Sequence, residues 1–154
     1  MKILVILPNY IGDILMTTPA LRFLRNNLRK VEIIAVVKIG YESVIYGNSN
    51  ISKIIVKKNR YDLVKRVVLE KPEVCILFRT TFFNSCLSFI SAAKYSIGED
   101  SELSRIFLKR VLRIDKCISY RYECVSLVKK FLQEYVGLKN FNEEDLSKID
   151  FFWL

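Results

Sequence analysis

Four short apolar or β-branched runs mark the first half of the chain, at residues 3–7, 32–37, 54–56 and 74–78, and the stretches between them carry apolar residues at helical spacing. Parallel strands need a crossover long enough to hold a helix, so this alternation predicts βαβ units and a parallel sheet. Leu15, Leu21, Leu24 and Leu28 can share one face of the first helix, with Arg22, Arg25 and Arg29 elsewhere on it. Thr18-Pro19 has the signature of a helix start, so this helix either begins there or begins near Asp13 and is kinked at Pro19; the kinked helix is the preferred expectation.

Further along, residues 61–71 read as a second helix stopped by Pro72. Residues 81–93 read as a very apolar third, with Phe82, Phe83, Leu87, Phe89 and Ile90, expected to be largely buried or covered by a partner. In residues 103–114, Leu103, Ile106, Phe107, Val111 and Ile114 fall on one side while Arg105, Lys109 and Arg113 recur at fourfold spacing, which predicts a basic amphipathic helix. A solvated face, docking on a membrane surface and binding of a phosphorylated acceptor are all open for it. A last helix over 120–136 is closed by Gly137. The chain then runs through an acidic patch to Phe151, Phe152, Trp153 and Leu154, an apolar terminus that needs something to dock on.

The length of 154 residues suits one domain with a real core. At 51% hydrophobic the chain is apolar, yet no run reaches the ~18 residues of a spanning helix, and the opening MKILVILP reads as a strand rather than a signal peptide. Lys and Arg number 25 against 16 acidic residues, a net +9, so the surface should attract something anionic: nucleic acid, a phosphosugar or an anionic membrane. Nucleic acid is disfavoured, because aromatics do not interleave with the basic residues at RNA-binding spacing and no recognised motif is present. Cys75, Cys86, Cys117 and Cys124 show neither CxxC spacing nor disulfide density, which predicts reduced, mostly buried thiols.

There is no histidine, so proton transfer at neutral pH falls to a carboxylate, lysine, tyrosine or cysteine. Asp13 leads that group. It follows Gly12 in PNYIGDILMTTPALR, where the first strand gives way to a helix, and loops at the carboxyl ends of parallel strands face the ligand crevice. A helix cap remains an alternative reading of it. The loop has one glycine and lacks both GxGxxG and GxxxxGK[ST], so a nicotinamide enzyme and a nucleoside triphosphatase are unsupported; a sugar or lipid-linked acceptor fits better. Lys57, Lys58 and Arg60 cluster after the third strand, as a solvated loop or as part of a site at the same sheet edge.

The strand followed by LPNYIGDILMTTPALRFLR, then VEIIAVV, NISKIIV, CILFRTTFFNSCLSFISAAKYSIGED and SRIFLKRV, resembles the amino-terminal half of the ADP-heptose:lipopolysaccharide heptosyltransferases. These are inverting glycosyltransferases of the two-domain GT-B type. The resemblance implies an α/β fold with a Rossmann-like parallel sheet, an acceptor-binding domain at residues 1–138, and a truncated linker or the start of a missing donor-binding domain at 139–154. It implies Asp13 as general base, taking the proton from an acceptor hydroxyl, with Asn9, Asn84, Ser85, Arg110 and Arg121 as acceptor-binding residues. Arg121 stands in for a histidine that relatives often carry near Tyr120.

The implied acceptor is an anionic glycolipid, the lipid A core, and ADP-heptose would bind only through the missing half. No metal and no cofactor are needed by this scheme. The resemblance places the protein in the cytoplasm, with the inner membrane surface as a candidate contact, and implies little transfer by the chain alone. The alternative is a stand-alone binding module for an anionic glycolipid or a partner protein.

Overall fold

A computed structural model of the protein describes residues 1–101, 104–113 and 119–141. Six strands, β1 (Lys2–Ile6), β2 (Glu32–Lys38), β3 (Lys53–Lys57), β4 (Val74–Leu77), β5 (Tyr95–Glu99) and β6 (Arg110–Leu112), form one sheet in the order β3-β2-β1-β4-β5-β6, every pair parallel. The helices are α1 (Ile11–Met16), α2 (Thr18–Asn27), α3 (Glu42–Ile45), α4 (Arg60–Glu70), α5 (Phe82–Ile90), α6 (Ser104–Phe107) and α7 (Tyr120–Phe131).

Strand alternation divides the core into two layers. Ile3, Val5 and Leu7 of the first strand region pack with Ile14, Leu21, Phe23 and Leu24 of α1 and α2 and with Val128 and Phe131 of α7. Leu4 and Ile6 point the other way, onto Leu63 and Val67 of α4 and Leu87 of α5. With both faces covered, the central strands are apolar without interruption, which is why they stand out in the sequence. Each such buried Leu or Ile contributes about 1.5–3 kcal/mol. Right-handed crossovers explain the layering: the chain steps outward from β1 to β3, then returns to β4 on the far side of β1, and the reversal carries α4 to α6 onto the opposite face. β1 and β4 thus diverge at a switch point where a crevice opens at their carboxyl ends.

The first helix is interrupted, as preferred, but at Thr17 rather than Pro19. Thr17 and Thr18 hydroxyls donate to the carbonyls of Ile14 and Leu15, each at 2.7 Å, and close α1 while Pro19 starts the next helix. α7 runs on into a π-helical turn, Leu132–Val136, closed by Gly137 at φ 79°, with the Leu138 amide returning to the Leu132 carbonyl at 3.1 Å.

The basic amphipathic helix expected over 103–114 is not what forms. One helical turn, α6, is followed by the edge strand β6, whose Val111 and Leu112 alternate onto opposite layers of the core. The fourfold basic spacing has another cause: Arg105 and Arg113 converge on Asp100, at 2.7 and 3.1 Å, from either side of the turn. Residues 103 and 114 lie outside the described residues, as do Cys117 and the terminal aromatics at 151–154. The third helix is not largely buried, the first of the two alternatives expected for it: of its apolar residues only Leu87 is buried, whereas Phe82, Phe89 and Ile90 are exposed.

Cys75 and Cys124 are buried free thiols and Cys86 is half-buried. Burial pushes the Cys75 thiol up to about 12, in keeping with an inert packing role. Among the described residues no helix is long and apolar enough to cross a membrane.

Candidate functional site

β1 ends in Leu7-Pro8, and the loop Asn9-Tyr10 turns the chain into α1. Tyr10 occupies the cap position with extended backbone and no side-chain cap bond, so Asp13 is not the N-cap; it sits half-buried in the first turn, where the positive end of the peptide dipoles favours a carboxylate. α7 packs against α1 in the same core layer. Burial is the main cause that holds the Tyr120 hydroxyl and the Cys124 thiol above their ordinary pKa values, and the Asp13 charge acts on both in the same direction. Tyr120 is fixed in turn: its hydroxyl donates to the Phe78 carbonyl at 2.5 Å, tying α7 to the end of β4.

Arg79 follows Phe78 directly, and its charge stabilises the ionised forms of Tyr120 and Glu123. Glu123 is nevertheless held above the usual carboxylate range, first by desolvation and then by Glu99. Asp13, Arg79, Tyr120, Glu99 and Glu123 therefore make a polar group at the β1/β4 switch. The sequence reading missed Arg79 and Glu123. The signal for Arg79 was its position immediately after a buried strand, the same argument that singled out the loop after β1.

Beside this group, at the carboxyl ends of β2 and β3, a cavity of about 410 Å³ is lined by Asn9, Lys38, Lys57, Lys58, Asn59, Arg60, Thr81, Phe83 and Asn84 together with Ile39. No carboxylate is among them. Lys38 and Lys57 are register partners on adjacent strands, so two like charges stand side by side. Burial, then the charge of Lys38, lowers the Lys57 pKa. The Lys57 amine donates to Asn84 Oδ1 at 3.4 Å, and Asn84 Nδ2 donates to the Arg79 carbonyl at 3.0 Å, which links the cavity to the loop after β4. Lys57 and Arg60 also lie 5.9 and 5.2 Å from the centre of the Phe83 ring.

Local capping builds the walls. Asn59 Oδ1 accepts from the Asp62 amide at 2.7 Å and starts α4, while Thr81 Oγ1 accepts from the Asn84 amide at 3.2 Å and starts α5. Four cations left together repel one another, and a polyanion would neutralise them. Among the described residues no cluster of three or more His, Cys, Asp or Glu side chains could hold a metal.

Of the residues expected at the site, Asn9 and Asn84 are brought to the cavity, and Asp13 lies on the same loop-to-helix segment as Asn9. Ser85, Arg110 and Arg121 are not among its lining residues. Ser85 turns inward from α5, buried with its hydroxyl unpartnered. Arg110 opens β6 and is drawn towards the opposite edge by Glu134, at 3.3 Å, a carboxylate that also accepts from Tyr95 at the start of β5. Arg121 lies half-buried on the first turn of α7 with its guanidinium 5.5 Å from the Tyr122 ring.

This fold recurs in solved structures. ADP-heptose lipopolysaccharide heptosyltransferase II of E. coli matches with a TM-score of 0.75 and 18% identity, over 83% of this chain and 40% of its own. The fold, a six-stranded parallel sheet flanked by helices, matches one half of a GT-B heptosyltransferase. The E. coli heptosyltransferase WaaC with ADP-2-deoxy-2-fluoro heptose matches at a TM-score of 0.76 and 17% identity, over 96% of this chain and 53% of that one. A glycosyl transferase family 9 protein from Veillonella parvula matches at 0.72 and 20%, over 90% and 50%. The chain thus spans about half the length of these heptosyltransferase-like structures. No protein-family model and no curated protein matches the sequence.

Proposed function

We propose that this chain is the acceptor-binding half of a heptosyltransferase-type glycosyltransferase. The observation that carries the reading is the acid-free cavity of Lys38, Lys57, Lys58 and Arg60 at the carboxyl edge, beside the loop that leads to Asp13. Its cations suit the phosphates and carboxylates of an anionic glycolipid of the lipopolysaccharide inner core, and Asn9 and Asn84 supply directional hydrogen bonds to sugar hydroxyls. Asp13 serves as general base. As the acceptor oxygen attacks the anomeric carbon from the face opposite the leaving group, Asp13 takes its proton, the bond from sugar to diphosphate breaks, and ADP departs with inversion.

In this reading residues 1–138 form the acceptor domain, and residues from 139 onward lead towards a donor-binding half that holds ADP-heptose; most of that segment lies outside the described residues. Transfer belongs to the two halves together, because the donor's contacts in the transition state come from the other one. In this reading the protein works in the cytoplasm. The test is titration of the chain with a deacylated, phosphorylated inner-core oligosaccharide, followed by addition of a heptosyltransferase donor-binding half and ADP-heptose. Salt-sensitive binding together with transfer supports the reading. Binding without transfer in a folded complex favours a glycolipid-holding module, and absence of binding removes the acceptor assignment.

A further inference from the structure

One amine in the cationic cavity differs from the rest. Lys57 closes β3 half-buried, whereas Lys38, Lys58 and Arg60 around the same cavity are exposed. Lys38 is its register partner on β2, and its amine donates to Asn84 Oδ1 at 3.4 Å. An amide oxygen holds the amine in place without a negative charge to favour the ammonium form. The described carboxylates nearest to the cavity in sequence are engaged elsewhere: Asp62 pairs with Arg66 at 2.8 Å, Glu42 accepts from the Gly40 amide at 2.6 Å, and the Asp13 charge acts on Tyr120 and Cys124. Burial, then the Lys38 charge, accordingly lowers the Lys57 pKa. A lysine that is desolvated or set beside another cation is the kind that attacks carbonyl groups, because its lone pair is free nearer neutral pH.

We propose that Lys57 is a covalent capture site for phosphorylated aldehydes, such as the open-chain form of an aldose phosphate, with Lys58 and Arg60 holding the phosphate while the carbonyl carbon meets the Lys57 amine. The cavity, at about 410 Å³, has the size of a small-molecule site, and the Phe83 ring, 5.9 Å from the Lys57 amine and 5.2 Å from the Arg60 guanidinium, gives the two groups a common wall. The amine lone pair adds to the carbonyl carbon, and the C–O bond of the resulting carbinolamine breaks. The oxygen leaves as water with both amine hydrogens, and the product is an imine; nothing is oxidised or reduced. Hydrolysis reverses the step, so occupancy follows the aldehyde concentration. An imine there fills the cavity and shuts out an anionic acceptor. That regulatory consequence rests on the acceptor reading, whereas the capture itself requires only the cavity.

The test uses pyridoxal 5′-phosphate as the probe. The folded chain is incubated with it, reduced with borohydride to fix the imine, and mapped by peptide mass spectrometry, with phosphate-free pyridoxal as the control. The rival amine is the amino terminus, which lies at the start of β1 beside Glu73 at 3.7 Å and is a group of the kind that any aldehyde modifies. The expected result is an adduct on Lys57 about tenfold or more in excess over every other amine, a preference that pyridoxal does not show and that inorganic phosphate suppresses. Lys57→Arg, which keeps the charge and removes the nucleophile, should lose the adduct, and the double variant K58M/R60M should weaken it about tenfold, with thermal melts confirming that both fold. Adducts spread evenly over the lysines, an adduct chiefly on Lys38, Lys58 or the amino terminus, or equal labelling of Lys57 by pyridoxal overturns the proposal. Oligosaccharide binding is read in a separate titration, so the acceptor reading and the capture site stand or fall apart from each other.

Discussion

The two ends of the sheet treat their cations in opposite ways. On the β1–β3 side, Lys38, Lys57, Lys58 and Arg60 share one cavity without a carboxylate among its lining residues, and two of them are register neighbours. On the β5–β6 side, Asp100 gathers Arg105 and Arg113, and Glu134 takes Arg110. The net charge of +9 is thus a poor guide to function by itself. Arginines that close a turn or staple a strand are spent on the fold, and like charges packed together at a strand end are the ones available to a ligand.

The largest effect should come from the switch point that separates the two ends. Asp13→Asn keeps the size of the side chain and removes its basicity, so in an assembly competent for transfer the rate should fall about 10²–10⁴-fold. Acceptor affinity should stay within about twofold, since the cavity cations are untouched. Initial rates and a binding isotherm on the same preparation check both, and a rate loss under tenfold would remove Asp13 from the role of base.

Gly98 tests the structural end. A Cβ there would stand 2.7 Å from Thr80 Oγ1, 2.8 Å from Leu108 Cδ1 and 3.2 Å from Leu77 Cβ. Gly98→Ala should therefore cost about 1–3 kcal/mol through overpacking. Denaturant titration reads the loss, while anion binding by the folded fraction should be unchanged. A coincident loss of binding at full folding would mean the two ends are coupled.

The same glycine shows where the sequence was legible and where it was not. β1, β2 and β4 are buried on both faces, and their continuous apolar runs could be read without tertiary knowledge. β5 was missed because its residues Ser96 and Gly98 answer to neighbours: the Ser96 hydroxyl accepts from the Lys109 amide at 2.9 Å, and Gly98 makes room for Thr80 and Leu108. β6 reads as helix because the basic residues Arg105, Lys109 and Arg113, four apart, imitate a helical face, and only the fold reveals that Arg105 and Arg113 meet at Asp100. At the candidate site, Asp13 and Asn9 were legible from one strand-to-loop junction. Lys38 was not, since its partner Lys57 comes nineteen residues later and only strand pairing unites them.

Lys57 offers a smaller effect and a clear sign. Lys57→Met should weaken binding of an anionic core oligosaccharide about tenfold and lower the salt dependence, whereas Arg113→Met should change neither. The native lysine has a lowered pKa, so it binds protons less well folded than unfolded and is a burden on the fold at neutral pH. Lys57→Met should accordingly melt no lower than the native chain. A marked drop in melting temperature would show that the amine's bond to Asn84 stabilises the cavity wall more than repulsion from Lys38 strains it.

The smallest effect lies at the other end, in acid. The Arg105 guanidinium, with Arg113 behind it, holds the Asp100 carboxyl at about 2, below the ordinary 3.8. A depressed carboxylate pKa contributes stability that is fully present above the unfolded value and lost as pH falls towards the folded one, so this contribution should fade between about pH 4 and pH 2. Asp100→Asn keeps the shape and removes the charge. Its melting temperature should be slightly below that of the native protein at pH 6 and should converge on it by pH 2, because solvent screens a pair at the surface. Parallel melts across that range decide the matter: a constant gap would show that the two arginines are held by geometry rather than charge, and the contrast between the two ends of the sheet would lose its electrostatic basis.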